Sequence, residues 1–365
     1  MTHDHSHSAF SPPVLMALGA AALFGASTPF AKLLLGETSA WLLAGLLYLG
    51  SGLGLSLLAL LRHLTVAVGE PSPERLARTD LPWLVGAIAA GGVAGPVLLM
   101  IGLAGVNGSA ASLLLNAEGV FTALLAWFAF RENFDRRIAL GMVSIIAGAV
   151  LLSWGGESLS WQDALSPLAI LAACLCWGID NNLTRKVSLS DPLRIAASKG
   201  LVAGLCNLAL ALSVGGVSLP SAPVLGWAAL VGFLGYGVSL VLFVLALRGL
   251  GSARAGAYFS AAPFVGAALS LPLLGETPTL RLLAAGGLMG FGLWLHLTER
   301  HDHDHEHRET EHSHSHSHDD PHHRHTHAPG DEPADPSAPH VHLHHHLPLR
   351  HSHAHFPDSH HRHDH

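Results

Sequence analysis

Charge is scarce in this chain. Only 12% of its 365 residues are Asp, Glu, Lys or Arg, against roughly 25% in an ordinary soluble domain. That deficit excludes a surface facing water on all sides. Cysteine is almost as rare, and Cys174, Cys176 and Cys206 all lie inside apolar runs, where a free thiol behaves as a small hydrophobe. No disulfide is expected. The Cys-x-Cys pair has no further soft ligand nearby, so a metal site there is not expected either. A basic patch with interleaved aromatics is missing, which argues against nucleic acid. The sequence has no Gly-x-x-x-x-Gly-Lys-Ser/Thr loop, which argues against primary ATP-driven work by this chain. Residues 1–13 hold no Lys or Arg and no small-residue cleavage pattern follows, so the first apolar run reads as a true span and not as a signal peptide.

What the sequence has in abundance is long apolar runs. A helix crossing hydrocarbon needs roughly 20 mostly apolar residues. Such runs fall at 14–35, 39–61, 82–104, 108–131, 136–154, 165–186, 193–214, 224–247, 252–275 and 279–298. The expected fold is an all-α polytopic membrane protein of about ten transmembrane helices. Cytoplasmic loops accumulate Lys and Arg. One set of connections carries Arg62, Arg75, Arg78, Arg131, Arg136, Arg137, Arg185, Lys186, Arg194, Arg248 and Arg254, while the other carries only Arg281. Both termini are therefore expected in the cytoplasm of a cell whose inner membrane holds the chain, the expected setting being bacterial.

The chain also matches itself. Leu103 to Glu132 aligns without gaps on Leu247 to Glu276, pairing Gly105 with Gly249, Ala111 with Ala255, Ala117 with Ala261 and Glu132 with Glu276. Upstream, Phe24 to Lys32 aligns on Trp177 to Arg185. The charge map inverts between the halves: Gly105 to Gly108 has no positive charge, while its mate has Arg248 and Arg254. Five spans per half is odd, so the halves insert oppositely. The expected organisation is a short N-terminal segment (1–13), two inverted five-helix repeats (14–154 and 155–298) and a tail (299–365). Inverted repeats that rock about a midplane site recur in secondary transporters.

An ionisable group inside the bilayer costs at least about 2.5–3.5 kcal/mol on insertion scales, so each requires a partner or a wet cavity. Glu118 lies near the middle of the fourth run, close to Asn116, and its repeat mate is Ala262. It reads either as a substrate- or proton-binding carboxylate or as a hydrogen-bonded structural acid. Asp180, Asn181 and Asn182 form the densest polar cluster of the body; they read as part of a discontinuous, cavity-lining helix or as the cytoplasmic end of the sixth span. Lys32 and Lys199 sit near span ends, where snorkelling is the default, although Pro29 can loosen the helix before Lys32. Trp177, Tyr258 and Ser260 are candidate substrate contacts or packing residues. The glycine pairs Gly91/Gly95, Gly200/Gly204 and Gly286/Gly290 suit close helix approach.

Phe24-Gly25-Ala26-Ser27-Thr28-Pro29-Phe30-Ala31-Lys32, its counterpart Trp177 to Lys186, and the endings Phe130-Arg131-Glu132 and Leu274-Gly275-Glu276 resemble the EamA domains of the drug/metabolite transporter superfamily. The resemblance covers about 14–298. It implies ten helices in two inverted repeats, export of amino acids or other small metabolites, and roles for Gly25, Gly178, Lys32, Glu132 and Glu276. Glu118 and the Asp180 cluster are more polar than that family's commonest pattern.

Residues 301–365 carry 24 of the 29 histidines and almost no apolar side chains, a composition that reads as disorder. Neutral imidazole is a good ligand for zinc, nickel or cobalt. His301, His303, His305, His307, His312, His314, His316 and His318 are expected to bind such ions reversibly, with His3, His5 and His7 on the same side. No cofactor is required by this reading. The expected function is secondary export of a small polar metabolite, with a proton as candidate coupling ion, the lipid bilayer as the main partner and self-association into a homodimer left open. The alternative is a transition-metal exporter or metal-regulated permease.

Overall fold

The computed structural model describes residues 12–65, 80–130, 136–153, 161–184, 192–213 and 219–297 of the body and four short segments of the tail. Throughout the described body the regular structure is helical. Eight helices are long and apolar enough to cross a bilayer: Pro12–Leu34, Ala40–Arg62, Leu81–Gly105, Gly108–Leu125, Arg136–Ser153, Ala164–Thr184, Leu193–Ser213 and Ala222–Ala246. Two shorter apolar helices, Ala262–Leu274 and Leu280–Leu295, follow. These ten segments are called spans 1 to 10.

Between spans 8 and 9 helical residues follow one another without a coil gap from Ser239 to Phe259, across the interval between the runs 224–247 and 252–275. The chain nevertheless reverses there. The rings of Phe243 and Phe259 lie 4.6 Å apart, whereas sixteen residues of straight helix would separate them by roughly 24 Å. The returning limb therefore extends span 9 upstream of Ala262.

The repeat is visible in the backbone. Span 3 carries a π-helical turn at Ile88–Ala94 and span 8 carries its mate at Phe233–Val238. Span 4 breaks at Leu115–Asn116 and span 9 at Ser260–Ala261, at nearly the same register offset that aligns Leu103 with Leu247. Gly25 in span 1 packs on Ala262 and Gly266 of span 9, and its mate Gly178 in span 6 packs on Phe121 and Thr122 of span 4. Glycine is required at Gly25 because a Cβ there would collide with the Ala262 carbonyl oxygen. Spans 2 and 7 touch backbone to backbone at Gly52 and Gly200, and spans 5 and 10 meet where Gly148 faces Met289 and Gly292 faces Gly141.

The core lies where the halves meet, around Leu43, Leu47, Leu99, Met100, Leu103, Leu114, Ile170 and Met289. Large apolar side chains such as Phe128, Leu165, Leu280 and Phe291 face outward, an arrangement that lipid accommodates and water penalises.

In the tail, Asp302–His307 pairs antiparallel with Leu349–Ala354, and Thr310–His316 with His340–His346. His301 and His318 lie outside the described residues.

Candidate functional site

The break in span 4 organises the polar centre of the bundle. Gly108–Leu114 ends as a helix, two residues turn, and Ala117–Phe130 begins a second helix. The Asn116, Glu118 and Leu115 backbone amides bond three residues back, to Leu113, Leu115 and Ser112 at 3.0, 3.1 and 3.3 Å, so regular i→i−4 pairing is interrupted near the middle of the span. Glu118 thus occupies the first turn of the second half-helix, where the helix dipole favours an anion. Asn116 is buried, and its side-chain amide donates at 2.9 Å to the same Leu113 carbonyl that its backbone amide already reaches. The Cys174 thiol approaches the neighbouring Leu114 carbonyl at 3.7 Å.

Span 6 supplies the opposite wall. Asn181 donates to Glu118 Oε1 at 2.9 Å and to Thr122 Oγ1 at 3.2 Å. Asn182 donates to the carbonyls of Thr122 and Gly178 at 3.1 and 2.8 Å. The close approach of Gly178 to Phe121 and Thr122 makes these bonds reachable, since short amide side chains bridge only helices in backbone contact.

One helical face further round, Asp180 meets Lys199 of span 7. The ammonium lies 2.5 and 2.8 Å from the two carboxylate oxygens and 3.2 Å from Thr184 Oγ1, and Thr184 donates to Asp180 at 2.8 Å. The two charged side chains are only 18% and 11% exposed. Snorkelling, the sequence default for Lys199, does not occur; the lysine closes a largely buried pair with the preceding span. Asp180 also packs directly on Gly91, where any larger residue would displace the carboxylate.

Gly91 sits in the π-turn of span 3, and π-helical bonding leaves carbonyls for other donors. Tyr48 Oη and Trp177 Nε1 both donate to the Gly91 carbonyl at 2.9 Å, and Asn207 Nδ2 donates to Gly92 at 3.0 Å. Trp177 therefore positions span 3 against span 6. Tyr48 continues into an aromatic row: Tyr48 to Tyr236 at 5.5 Å, Tyr236 to Phe24 at 5.9 Å, Phe24 to Phe259 at 5.5 Å.

Symmetry shows what is specific here. The mates of Asp180, Glu118 and Thr122 are Ser27, Ala262 and Gly266, and Ser27 packs on Gly235 as Asp180 packs on Gly91. One scaffold is used twice, with charge and amides on the span 4/6/7 side and aromatic and small residues on the span 1/8/9 side.

Lys32, Tyr258 and Ser260 stand apart from this cluster. The Lys32 ammonium donates to the carbonyls of Leu103 and Val106 at 2.7 and 2.6 Å, capping the end of span 3 as a cation suits. Glu276 caps the start of span 4, accepting from the Gly108 and Ser109 amides at 2.6 and 3.0 Å and from Ser109 Oγ at 2.5 Å. Together they hold the turn between spans 3 and 4. Tyr258 packs with Ala17, Ala246, Ala255 and Phe243. Ser260 occupies the break of span 9, the repeat mate of Asn116. Sequence reasoning missed Tyr48, Thr122, Thr184, Asn207 and Tyr236; the only signal was polar or aromatic residues in apolar runs, shared with many packing positions. Among the described residues no group of three or more His, Cys, Asp and Glu is placed to hold a metal ion.

Comparison with known proteins agrees with this architecture. A relative from Methanothermobacter thermautotrophicus, described as an uncharacterized transporter, is 28% identical over 285 residues, which covers 74% of this chain and 82% of the relative. A crystal structure described only as that of a protein matches with a TM-score of 0.58 at 18% identity, over 78% of this chain and 96% of the other, a likeness of fold. The model of the EamA-like transporter family matches twice, at residues 11–154 and 165–298, so this chain is a polytopic membrane protein that belongs to the EamA-like transporter family.

Proposed function

We propose that the chain exports a small polar metabolite, such as an amino acid, across the bacterial inner membrane, with Glu118 as the carboxylate that binds the substrate or the coupling proton. The observation that carries this reading is the placement of Glu118: an acid in the first turn of a half-helix at a mid-membrane break, held by the Asn181 amide on the facing span. Discontinuous helices that present dipole ends and side chains at the midplane are how inverted-repeat transporters build a binding site. Asn116, Asn181 and Trp177 shape that site, and Asp180 supports it through Lys199 and Gly91. No covalent chemistry is asked of any residue. Arg and Lys counting on the loops supports cytoplasmic termini. The test is a metabolite screen of medium from cells over-expressing the chain. Accumulation of one solute class outside, lost with Glu118→Gln, is expected; an unchanged exometabolome would refute the reading.

The histidine density of residues 301–365 favours a second activity, reversible cytoplasmic binding of zinc, nickel or cobalt by the tail. That same density motivates the alternative of a transition-metal exporter. Deleting residues 301–365 separates the two. Loss of metal binding with solute efflux retained supports export plus a metal-binding tail, whereas loss of metal tolerance with no solute ever exported supports the alternative.

A further inference from the structure

Lys199, Asp180 and Thr184 form a compact cluster between two spans. Both oxygens of Asp180 and the hydroxyl of Thr184 converge on one point between spans 6 and 7, at 2.5, 2.8 and 3.2 Å from it, and the Lys199 ammonium fills that point. Thr184 is itself oriented by its bond to Asp180 at 2.8 Å. A lysine ammonium is a compact point charge on a flexible stem, and convergent oxygens are what hard cations prefer. The floor is fixed. Gly91 lies against the Asp180 carboxylate, and the π-turn that contains Gly91 is pinned by Tyr48 and Trp177.

We propose that Asp180 and Thr184 constitute a monovalent-cation site that the chain occupies with its own Lys199 ammonium, so that removing the ammonium converts the cluster into a binding site for sodium or a similar small cation. Taking away one partner of a buried pair leaves the other charge uncompensated, and a free cation that restores neutrality binds the folded chain in preference to the unfolded one. Potassium and ammonium compete with sodium for the vacated position; a divalent ion would bring one charge too many for a single carboxylate. In the native chain the tethered ammonium makes folding, and the movement of whatever solute passes, independent of sodium. The inference stands apart from the identity of that solute, because its readout is the stability of the full-length protein.

The experiment is thermal unfolding of the purified full-length chain in lipid nanodiscs, in sodium, potassium, ammonium or choline chloride at equal ionic strength. Wild type is expected to melt at one temperature in all four. Lys199→Ala, which vacates both charge and space, is expected to melt about 3 °C or more higher in at least one of the three small cations than in choline. Lys199→Met keeps most of the stem and leaves no room, so it is expected to show no such difference, and adding Asp180→Asn to Lys199→Ala is expected to abolish it. The proposal is overturned if Lys199→Ala melts identically in all four salts, if Lys199→Met or the Asp180→Asn double variant shares the shift, or if wild type shows it. A Lys199→Ala chain that folds in none of the salts, beside an Asp180→Asn/Lys199→Met chain that folds, overturns it equally.

Discussion

The two glycines that pack the repeats offer a comparison with an internal control. Gly25 and Gly178 are repeat mates, each inside a helix and each facing the partner half-helix of span 9 or span 4. Replacing either by alanine removes a helix-interior glycine, which favours the helix by about 1 kcal/mol. The steric terms differ. At Gly178 the added Cβ would stand 3.1 Å from Phe121 Cβ and from the Thr122 amide nitrogen, a crowding relieved by a shift of a few tenths of an ångström. At Gly25 it would run into the Ala262 carbonyl oxygen, far closer than a shift of a few tenths of an ångström relieves, with the Ala262 carbonyl carbon and the Gly266 amide also at 3.1 Å. Overpacking of that kind costs about 1–3 kcal/mol or more. Gly178→Ala is therefore expected to be neutral within about 1 kcal/mol, while Gly25→Ala is destabilised by about 1–2 kcal/mol net, a fall in melting temperature of roughly 2–8 °C for a chain of this size. Melting of the two variants side by side in nanodiscs reads this directly. Equal losses, or a larger loss for Gly178→Ala, would refute the packing argument and with it the register of the repeat.

Other expectations follow from single contacts. Tyr48→Phe and Trp177→Phe each remove one of two donors to the Gly91 carbonyl, so each alone is expected to cost about 0.5–1.5 kcal/mol; the pair together costs about 1–3 kcal/mol beyond their sum, because the carbonyl is then orphaned in a dry interior, and a double-mutant cycle on melting temperature measures the coupling. Glu276→Gln loses the charge-assisted bonds to Gly108 and Ser109 and is expected to cost about 1–2 kcal/mol, with faster hydrogen exchange at those two amides than in wild type; unchanged exchange would remove Glu276 from the cap. Asp180→Asn leaves the Lys199 ammonium without its counter-charge and is expected to lose about 3–5 kcal/mol, much of it recovered in Asp180→Asn/Lys199→Met; a double variant no better than the single one would contradict the pairing.

Much of the fold is legible in the sequence because lipid imposes a simple rule: apolar runs of the right length become spans. The repeat register was also readable, since Gly25 and Gly178 mark the same close contact in each half. Glu118, Asn181 and Asp180 stand out because a polar group in hydrocarbon is costly, and the structure brings the first two into one hydrogen bond. Pairing between spans is what the sequence conceals. Lys199 sits one to two turns inside its helix, where a long stem reaches the interface or a neighbouring acid equally well, and only the packing of spans 6 and 7 selects the acid. Lys32 reads by default as a snorkelling lysine, and its reach to span 3 carbonyls depends on where a different helix ends. The π-turns have no sequence signature beyond scattered glycines, so the accepting carbonyl of Gly91 and its donors Tyr48 and Trp177 come together only in the folded chain. The reversal between spans 8 and 9 falls in the interval the sequence leaves between the runs 224–247 and 252–275.

The central claim is that Glu118, held at a helix break by the facing span, is the working carboxylate of a transporter. Proteoliposomes containing purified chain, preloaded with the solute that the efflux screen identifies, test it without other cellular proteins. Wild type is expected to release the solute with a rate that responds to an imposed pH gradient, and Glu118→Gln, melting within a few degrees of wild type, is expected to lose that response. Release by Glu118→Gln that matches wild type in rate and gradient dependence would contradict the account.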